Sequence, residues 1–385
     1  MTTLLGYTKA WLEGQNGFHT ANEITHQPRL WKELVKALKE NQQVHSAFLN
    51  PILSKPNVRV VLTGAGTSAF AGEAIAPYLR KATGLVVDAV ATTDIVSNPE
   101  QFLVADQPTL VVSFARSGNS PESVAAVAIS NQVVKDCSHL FLTCNPDGEL
   151  AKYAPQSSNA HSIIMPEGSN DQSFAMTSSF TSMMLAAIGL ITQSINEGFE
   201  QKVNHVAEIC QSKLSQWQPL IKELAALDYQ RLIVLGSGGF LGLSREASLK
   251  SLELSAGKVM TTYDSSLGFR HGPKFTVNEK ALIIQFLSSD SYTRQYDQDL
   301  FNELTQDAIA ASVIALSEDT PASDGMIGAG EVNGEDIWLS FPYILFAQML
   351  SFEKSLDLGF GPDNPCPSGE VNRVVQGVTI YNYKK

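Results

Sequence analysis

The stretch that decides the fold is NVRVVLTGAGTSAFAGEA, residues 57–74, in which an apolar run leads into a glycine-rich turn and then a helix-forming segment. The same plan returns in YQRLIVLGSGGFLGLSREA, residues 229–247. Two copies of one strand–turn–helix unit in a single chain indicate an internal duplication.

Apolar runs follow each copy in the same order, with helix-forming segments between them. We predict further strands at 109–114, 139–145 and 161–166 in the first half, and at 281–287, 312–318 and 336–342 in the second. Unbroken apolar strands that alternate with helices are typical of a parallel sheet covered on both faces. The predicted fold class is therefore α/β, with two doubly wound parallel-sheet domains in tandem.

The domain organisation follows from these elements. We predict an N-terminal helical arm over residues 1–50, a first sheet domain over 51–200 and a second over 215–385. Ligands of such sheets gather beyond the carboxyl ends of the strands. A ligand site is therefore expected at those ends.

Composition narrows the function classes. The chain has 385 residues and a net charge of −12, which argues against nucleic acid as a partner. The N-terminus lacks a basic patch followed by an apolar run, and the most apolar stretch, 180–191, is too short to span a bilayer. Four cysteines without metal-ligand spacing fit a reduced, cytoplasmic protein.

Hydroxyl-rich loops follow two adjacent strands of the first domain, and a third hydroxyl cluster begins its last long helix. Backbone N–H groups at helix starts and nearby hydroxyls can hold a phosphate without net positive charge. The candidate ligands are Gly66, Thr67, Ser68, Arg116, Ser117, Asn119, Ser120, Thr177 and Ser178.

A structural interpretation of these loops stays open, because Ser and Thr at helix starts are usually N-caps. Two such loops on neighbouring strands favour an anion site. A dinucleotide site fits less well, because GAGTSA lacks the third glycine of GxGxxG. A nucleotide site of the Walker type is also disfavoured, because the GK[ST] of that loop is absent.

A second candidate site lies in SREASLKSLELSAGKVMTTYDSSLGFRHGPK, residues 244–274. Glu246, Lys250 and Glu253 fall on one face of a predicted helix, and His271 follows on a turn stiffened by glycine and proline. A carboxylate and a histidine that titrates near neutrality can form an acid/base set. The same helix pattern also fits a surface ion-pair helix.

At this point the motifs resemble a known family. The loops LTGAGTSAF and SFARSGNSPESVAA, the cluster FAMTSS and the turn YDSSLGFRHGPK are similar to those of tandem sugar isomerase (SIS) domain proteins of the AgaS type. The resemblance begins near residue 50 and covers nearly all of the remaining chain. It extends to the isomerase half of glucosamine-6-phosphate synthase.

The resemblance implies a role for each matching residue. The hydroxyl loops would hold the phosphate of a sugar phosphate, and Glu253 would move a proton between C1 and C2. His271 would assist ring opening, reaching from a neighbouring subunit as in the synthase, with Glu246 and Lys250 as a supporting pair. A homodimer or higher homo-oligomer with shared active sites, and no metal or organic cofactor, are also implied.

Two departures from the family pattern bear on the reaction. The imine-forming lysine of the synthase corresponds to Gln376, and the first serine of its second phosphate loop corresponds to Ala115. An amino sugar brings its own nitrogen, so deamination needs no enzyme lysine. Because the AgaS-type proteins that the chain resembles are linked to galactosamine catabolism, we expect conversion of galactosamine 6-phosphate to tagatose 6-phosphate and ammonia. A ketose–aldose isomerase without deamination and a non-catalytic phosphosugar sensor are the alternatives.

Overall fold

The computed structural model describes residues 3–319, 324–373 and 377–384. The strands are β1 (Thr3–Leu4), β2 (Tyr7–Thr8), β3 (Arg59–Thr63), β4 (Val86–Ala89), β5 (Thr109–Ala115), β6 (Cys137–Thr143), β7 (Ala160–Ile164), β8 (Arg231–Gly236), β9 (Met260–Asp264), β10 (Ala281–Phe286), β11 (Ser312–Ser317) and β12 (Met326–Gly328).

The α-helices are α1 (Lys9–Gly14), α2 (Phe18–Thr25), α3 (Gln27–Glu40), α4 (Gln42–Leu53), α5 (Thr67–Thr83), α6 (Thr92–Ser97), α7 (Pro99–Phe102), α8 (Pro121–Val133), α9 (Glu149–Tyr153), α10 (Ser178–Ile191), α11 (Glu197–Gln216), α12 (Gln218–Ala225), α13 (Gly239–Leu254), α14 (Ser266–Phe269), α15 (Thr293–Asp307) and α16 (Asp336–Asp357). Short 3₁₀ helices lie at Ala154–Gln156 and Pro273–Thr276.

The strands from β3 onward form two five-stranded sheets, in the orders β4-β3-β5-β6-β7 and β9-β8-β10-β11-β12. Neighbouring strands are parallel in both. Numbered within its own sheet, each order reads 2-1-3-4-5, so the two halves share a topology as well as a sequence plan. The predicted α/β class with two parallel sheets in tandem is confirmed.

The central strands form the cores of the sheets. Every residue of β5, of β6 and of β10 is buried, on both faces of its sheet. Apolar runs without alternation therefore mark strands covered by helices on each side. The edge strands β4 and β9 are partly exposed.

The most apolar helix, α10, is buried at every one of its 14 positions. It is a core helix, as the shortness of its apolar run predicts. Over the described part of the chain, no helix combines the length and apolar character needed to span a bilayer.

The chain folds into two compact units, each containing one sheet. The first unit comprises residues 29–171, 178–203 and 371–385, and the second comprises 1–28, 172–177 and 204–370. Both units thus draw on separate parts of the chain. The domain boundaries predicted from the sequence, 1–50, 51–200 and 215–385, assume that each domain is one continuous segment of the chain. These boundaries stay a prediction.

The strand prediction is wrong at 336–342, where helix α16 begins at Asp336 and continues to Asp357. The last strand of that sheet is β12, which is only three residues long. A short apolar run cannot distinguish a buried strand from the start of a buried helix, and 18 of the 22 residues of α16 are buried. The edge strands β4 and β9 were not predicted: Asp88 interrupts the apolar run of β4, and β9 reads MTTYD, which contains no apolar run.

Two histidines that the sequence leaves without partners form a pair in the first unit. Nδ1 of His45 on α4 lies 3.0 Å from Nε2 of His161 on β7. Burial, with a contribution from His161, lowers the pKa of His45 to about 4, and burial also lowers the pKa of His161. Both rings are therefore neutral near pH 7.

This pair is expected to make the fold acid-sensitive. An unfolded histidine titrates near pH 6.5, so the unfolded chain binds more protons than the folded chain as the pH falls from about 6.5 towards 4. The free energy of unfolding should therefore fall with pH in that window, by at most about 1.4 kcal/mol per pH unit for each histidine. Urea unfolding at several pH values should show a shallower fall for His45→Gln than for the wild type.

The matched control is His19→Gln, because His19 has an exposed side chain. Its pH dependence should follow that of the wild type. Parallel curves for His45→Gln and the wild type would contradict an acid-sensitive pair.

Candidate active site

The turns that follow the first strand of each sheet have the same backbone geometry. Gly66 has φ 57° and ψ −129°, and Gly238 has φ 60° and ψ −125°. Glycine is essentially the only residue that adopts this region without strain. A Cβ at Gly64 would lie 2.5 Å from that of Ser68, so the helix begins directly against the strand end.

The two hydroxyl loops of the first unit leave the sheet side by side. Strand β3 pairs with β5 so that Thr63 lies opposite Ser113, at the carboxyl ends of both strands. The loop after β3 contributes Thr67 and Ser68, which are 4% and 5% exposed. The loop after β5 contributes Ser117, which is half-buried. The register thus brings the predicted phosphate loops to one edge.

Several residues of the second loop make structural contacts of their own. Ser120 caps α8, accepting from the backbone N–H of Ser123 at 3.3 Å. Asn119 accepts from the backbone N–H of Glu149 at 2.9 Å. The hydroxyl of Ser117 accepts from the N–H of Asn119 at 3.3 Å. The capping interpretation therefore holds for Ser120, and these bonds set the shape of the loop.

Arg116, in the same loop, is 7% exposed and donates to the backbone oxygen of Arg373 at 2.7 Å. Arg373 in turn donates to the backbone oxygen of Asp171. The described part of the C-terminal segment is thus joined to the loop after β5.

The third hydroxyl cluster is deeply buried. Thr177 and Ser178 are 0% exposed. The carboxylate of Asp171 accepts from the backbone N–H of Ser178 at 3.1 Å, from its hydroxyl, and from the N–H of Ser179 at 2.9 Å. A carboxylate at the start of α10 satisfies its N–H groups and interacts favourably with the helix dipole. The Ser178 hydroxyl is therefore bound within the protein.

The predicted charge row on α13 is not a surface feature. The Nζ of Lys250 lies 2.6 Å from Oε2 of Glu253 and 3.4 Å from Oε1 of Glu246. The side chains of Lys250 and Glu246 are 0% exposed, whereas that of Glu253 is 23% exposed. Two carboxylates thus share one buried ammonium, and only Glu253 reaches solvent. Burial of this kind rules out the surface ion-pair interpretation.

His271 is exposed, and it lies on a turn whose flanking residues on both sides form ion pairs. Arg270 donates to Glu303 at 2.8 Å, and Lys274 binds Glu303 and, at 2.6 Å, Asp307. These ion pairs raise the pKa of Lys274 and lower that of Glu303. The basic neighbours of His271 therefore hold its turn against α15.

The segment around this turn carries exposed apolar side chains. Phe275 is 96% exposed, Met260 is 64% exposed and Leu267 is 49% exposed. Gly272, which follows His271, has φ 120°. A contiguous patch of such side chains is typical of a surface that meets another protein.

Two residues of the site, Asp171 and Glu303, were not predicted from the sequence. Neither residue stands in a motif. Glu303 binds Arg270 and Lys274 on other elements. Asp171 binds Ser178 and Ser179, seven and eight residues further along the chain. Asp171 could have been found from its position, because an acidic residue shortly before the start of a helix is a candidate to bind the free N–H groups there. No group of three or more potential metal ligands occurs among residues 3–319, 324–373 and 377–384.

Comparisons with known proteins agree with these features. The SIS domain family matches residues 52–192. The D-galactosamine-6-phosphate deaminase AgaS of Shewanella sp. (strain ANA-3) is 43% identical, over 96% of this chain and 93% of the relative.

Two solved structures resemble the whole fold. A structure from Clostridium novyi NT has a TM-score of 0.96 and 42% identity, and the match covers 100% of both chains. The tagatose-6-phosphate ketose/aldose isomerase from Escherichia coli has a TM-score of 0.89 and 40% identity, covering 98% of this chain and 99% of that one. With likeness of this degree in both sequence and structure, the chain belongs to the AgaS family of SIS-domain proteins.

Proposed function

We propose that this chain is a deaminating isomerase that converts D-galactosamine 6-phosphate to D-tagatose 6-phosphate and ammonia. The observation that carries the proposal is the charge row on α13. Glu253 is its solvent-reaching carboxylate, and Lys250 holds that carboxylate at 2.6 Å. A fixed carboxylate that a substrate can reach is what proton transfer between adjacent carbons requires. The substrate named for the Shewanella relative is the same amino sugar phosphate.

The chemistry uses the nitrogen of the substrate. His271 assists opening of the sugar ring, which exposes the aldehyde at C1. Glu253 removes the proton from C2 while the C1 oxygen gains a proton, giving an enolamine. Glu253 then returns its proton to C1 while the nitrogen loses one, giving a ketimine at C2. Water adds to the ketimine carbon and ammonia leaves, which yields the 2-ketose. No imine with an enzyme lysine is needed; Gln376, which replaces that lysine, lies outside the described residues.

The phosphate is assigned to the carboxyl edge of the first sheet. Ser68, Ser117 and the backbone around Gly66 and Gly118 are its proposed donors. Further candidates are Thr67, Arg116, Asn119, Ser120 and Thr177. Ser178 was also predicted from the sequence, but its N–H and its hydroxyl both donate to Asp171. A cradle of N–H groups and hydroxyls suits a chain with a net charge of −12, because the anion is held by local dipoles.

The test is an ammonia-release assay on galactosamine 6-phosphate and glucosamine 6-phosphate side by side, with the ketose product identified. We expect ammonia and tagatose 6-phosphate in equal amounts from the galacto substrate. Turnover of the gluco substrate alone would contradict the proposed epimer. Binding of both sugars without any turnover would favour a sensor.

A ketose–aldose isomerase is the second candidate, because the solved Escherichia coli relative bears that name. Glu253 and His271 would act in the same way on a sugar phosphate that carries a C2 hydroxyl. Interconversion of galactose 6-phosphate and tagatose 6-phosphate, faster than ammonia release from the amino sugar, would favour this function.

Removing a phosphate donor is expected to weaken binding more than it slows the chemistry. Each hydrogen bond to a charged group contributes roughly 1.5–3 kcal/mol, so Ser68→Ala and Ser117→Ala should each raise KM about ten-fold or more. Steady-state kinetics on folded variants measure the change. Ser54→Ala is the control, because Ser54 is exposed and precedes β3 at the opposite edge of the sheet. An unchanged KM in both variants would remove these loops from the site.

The protein is further proposed to act as a homodimer or larger homo-oligomer. The exposed Leu267 and Phe275 in the segment around His271, with the exposed Met260 at the start of β9, favour a surface that a second copy covers. The proposed location is the cytoplasm, since all four cysteines are free thiols, as expected in a reducing compartment.

If His271 serves a site in the partner subunit, two inactive variants should complement each other. Mixing Glu253→Gln with His271→Ala subunits should restore up to about a quarter of the wild-type activity, because a two-fold dimer with shared sites then contains one complete site in half of the molecules. Activity is measured after subunit exchange has been verified with a labelled chain. Exchange without recovery would show that each site is built within one chain.

A further inference from the structure

The carboxyl ends of the strands in the second sheet correspond, residue by residue, to those of the first sheet, where the phosphate is proposed to bind. Thr63, which precedes Gly64, pairs with Ser113. Leu235, which precedes Gly236, pairs with Gln285. Counting forward from these pairs, Ser288 corresponds to Arg116 and Ser289 corresponds to Ser117.

The helices that close the two sheets also correspond. Helix α10 is the first α-helix after β7, and α16 is the first after β12 in the described chain. Helix α10 begins at Ser178, whereas α16 begins at Asp336. A hydroxyl at one helix start is thus replaced by a carboxylate at the other.

Asp336 binds the loop that corresponds to the proposed phosphate loop. One carboxylate oxygen accepts from the backbone N–H of Ser289 at 2.6 Å and from its hydroxyl at 2.7 Å. The other oxygen accepts from the hydroxyl of Ser288 at 2.5 Å. In the first sheet, Asp171 instead accepts from the helix's own Ser178 and Ser179.

A second carboxylate completes this cluster. Asp297 is 0% exposed and accepts from the hydroxyl of Ser237 at 2.8 Å, from the hydroxyl of Ser266 and from the backbone N–H of Ser288 at 3.0 Å. Together the two carboxylates bind two successive backbone N–H groups and four hydroxyls. Donors of these kinds, at a strand end facing a helix start, are what a phosphate would use.

We propose that Asp336, supported by Asp297, takes the place in the second sheet that the ligand phosphate takes in the first. The duplicated anion site is filled by the chain's own carboxylate, so each chain holds a single phosphosugar. Asp336 is only half-buried, so its place is accessible to an ion from solvent once the carboxylate is removed. This inference rests on the proposed function only in assigning phosphate to the first-sheet loops.

The test uses Asp336→Ala and inorganic phosphate. The substitution leaves the N–H of Ser289 and two hydroxyls without their acceptor, and phosphate is expected to bind them. Isothermal titration at constant ionic strength should then show two phosphates per chain in place of one. In thermal unfolding, phosphate at ten times its dissociation constant for the new site should lower the unfolding constant about ten-fold beyond its effect on the wild type.

A second substitution separates this inference from the proposed function. The Ser117→Ala substitution weakens the first-sheet site. The double variant Asp336→Ala/Ser117→Ala should therefore retain one phosphate, bound at the second sheet. If Asp336→Ala binds one phosphate and the double variant binds none, the inference is wrong and the first-sheet assignment stands. If Ser117→Ala leaves the count unchanged in both backgrounds, the first-sheet assignment is wrong.

The control is Glu23→Ala. Glu23 is 3% exposed and accepts from the backbone N–H of Gln172 at 2.5 Å and from that of Ser173. A new phosphate site in this variant as well would overturn the inference, because removal of any buried carboxylate would then create a phosphate site.

If Asp336→Ala does not fold, the same titration is made with Asp336→Ser, which installs the residue type found at position 178. A count of one phosphate there would equally overturn it.

Discussion

Replacing Glu253 with glutamine is expected to reduce turnover by ~10²–10⁴-fold or more while leaving sugar phosphate binding intact. Glutamine keeps the shape and the hydrogen bonding of the side chain but cannot accept a proton from C2. Exchange of the C2 hydrogen with solvent deuterium should therefore be lost in parallel with ammonia release. Both are measured on the same sample, by proton NMR and by an ammonia assay.

Glu246→Gln is the matched control, because Glu246 contacts the same ammonium but is 0% exposed. It should retain C2 exchange. If Glu253→Gln exchanges the C2 hydrogen at nearly the wild-type rate, Glu253 is not the base. Loss of exchange in Glu246→Gln alone would then identify the buried carboxylate as the base.

Replacing Lys250 with methionine is expected to destabilise the fold by about 3–5 kcal/mol, because it leaves the carboxylate of Glu246 buried without its ammonium. Methionine fills a similar volume, so the lost charge dominates over the lost packing. Urea unfolding at pH 7 measures the difference. Adding Glu246→Gln to Lys250→Met should recover most of the loss, since the buried side chain that has lost its ammonium then carries no charge.

An exposed pair at similar spacing sets the scale for this result. Lys152 and Glu149 lie 3.9 Å apart on α9 and are 55% and 65% exposed. Lys152→Met should change the free energy of unfolding by less than about 1 kcal/mol. A loss for Lys250→Met as small as this would show that the buried row contributes little to stability.

The fold was predictable where the chain repeats itself. Gly64 and Gly66 at one turn and Gly236 and Gly238 at the other identify the duplication, because both turns need backbone geometry that other residues avoid. The start of α16 was not predictable from its run of apolar residues. Such runs report burial, and burial is common to central strands and core helices.

The residues of the candidate site could be predicted from the sequence, but the burial of their charges and their ion-pair partners could not. Spacing alone places Glu246, Lys250 and Glu253 on one helix face. Their exposure depends on what covers α13, and that is decided by residues far away in sequence. The role of Glu303 in holding the His271 turn is likewise a contact between two elements that no local pattern encodes.

The division of the chain into interleaved units has a consequence for any attempt to produce half of this protein. The chain passes from one unit to the other five times, at 28/29, 171/172, 177/178, 203/204 and 370/371. A fragment that starts at residue 204 would lack Thr20, whose N–H and hydroxyl bind Asp363 at 2.7 Å. No single cut in the gene releases an intact module. Each sheet unit is therefore expected to form completely only when the whole chain is produced, so the two halves must be expressed together.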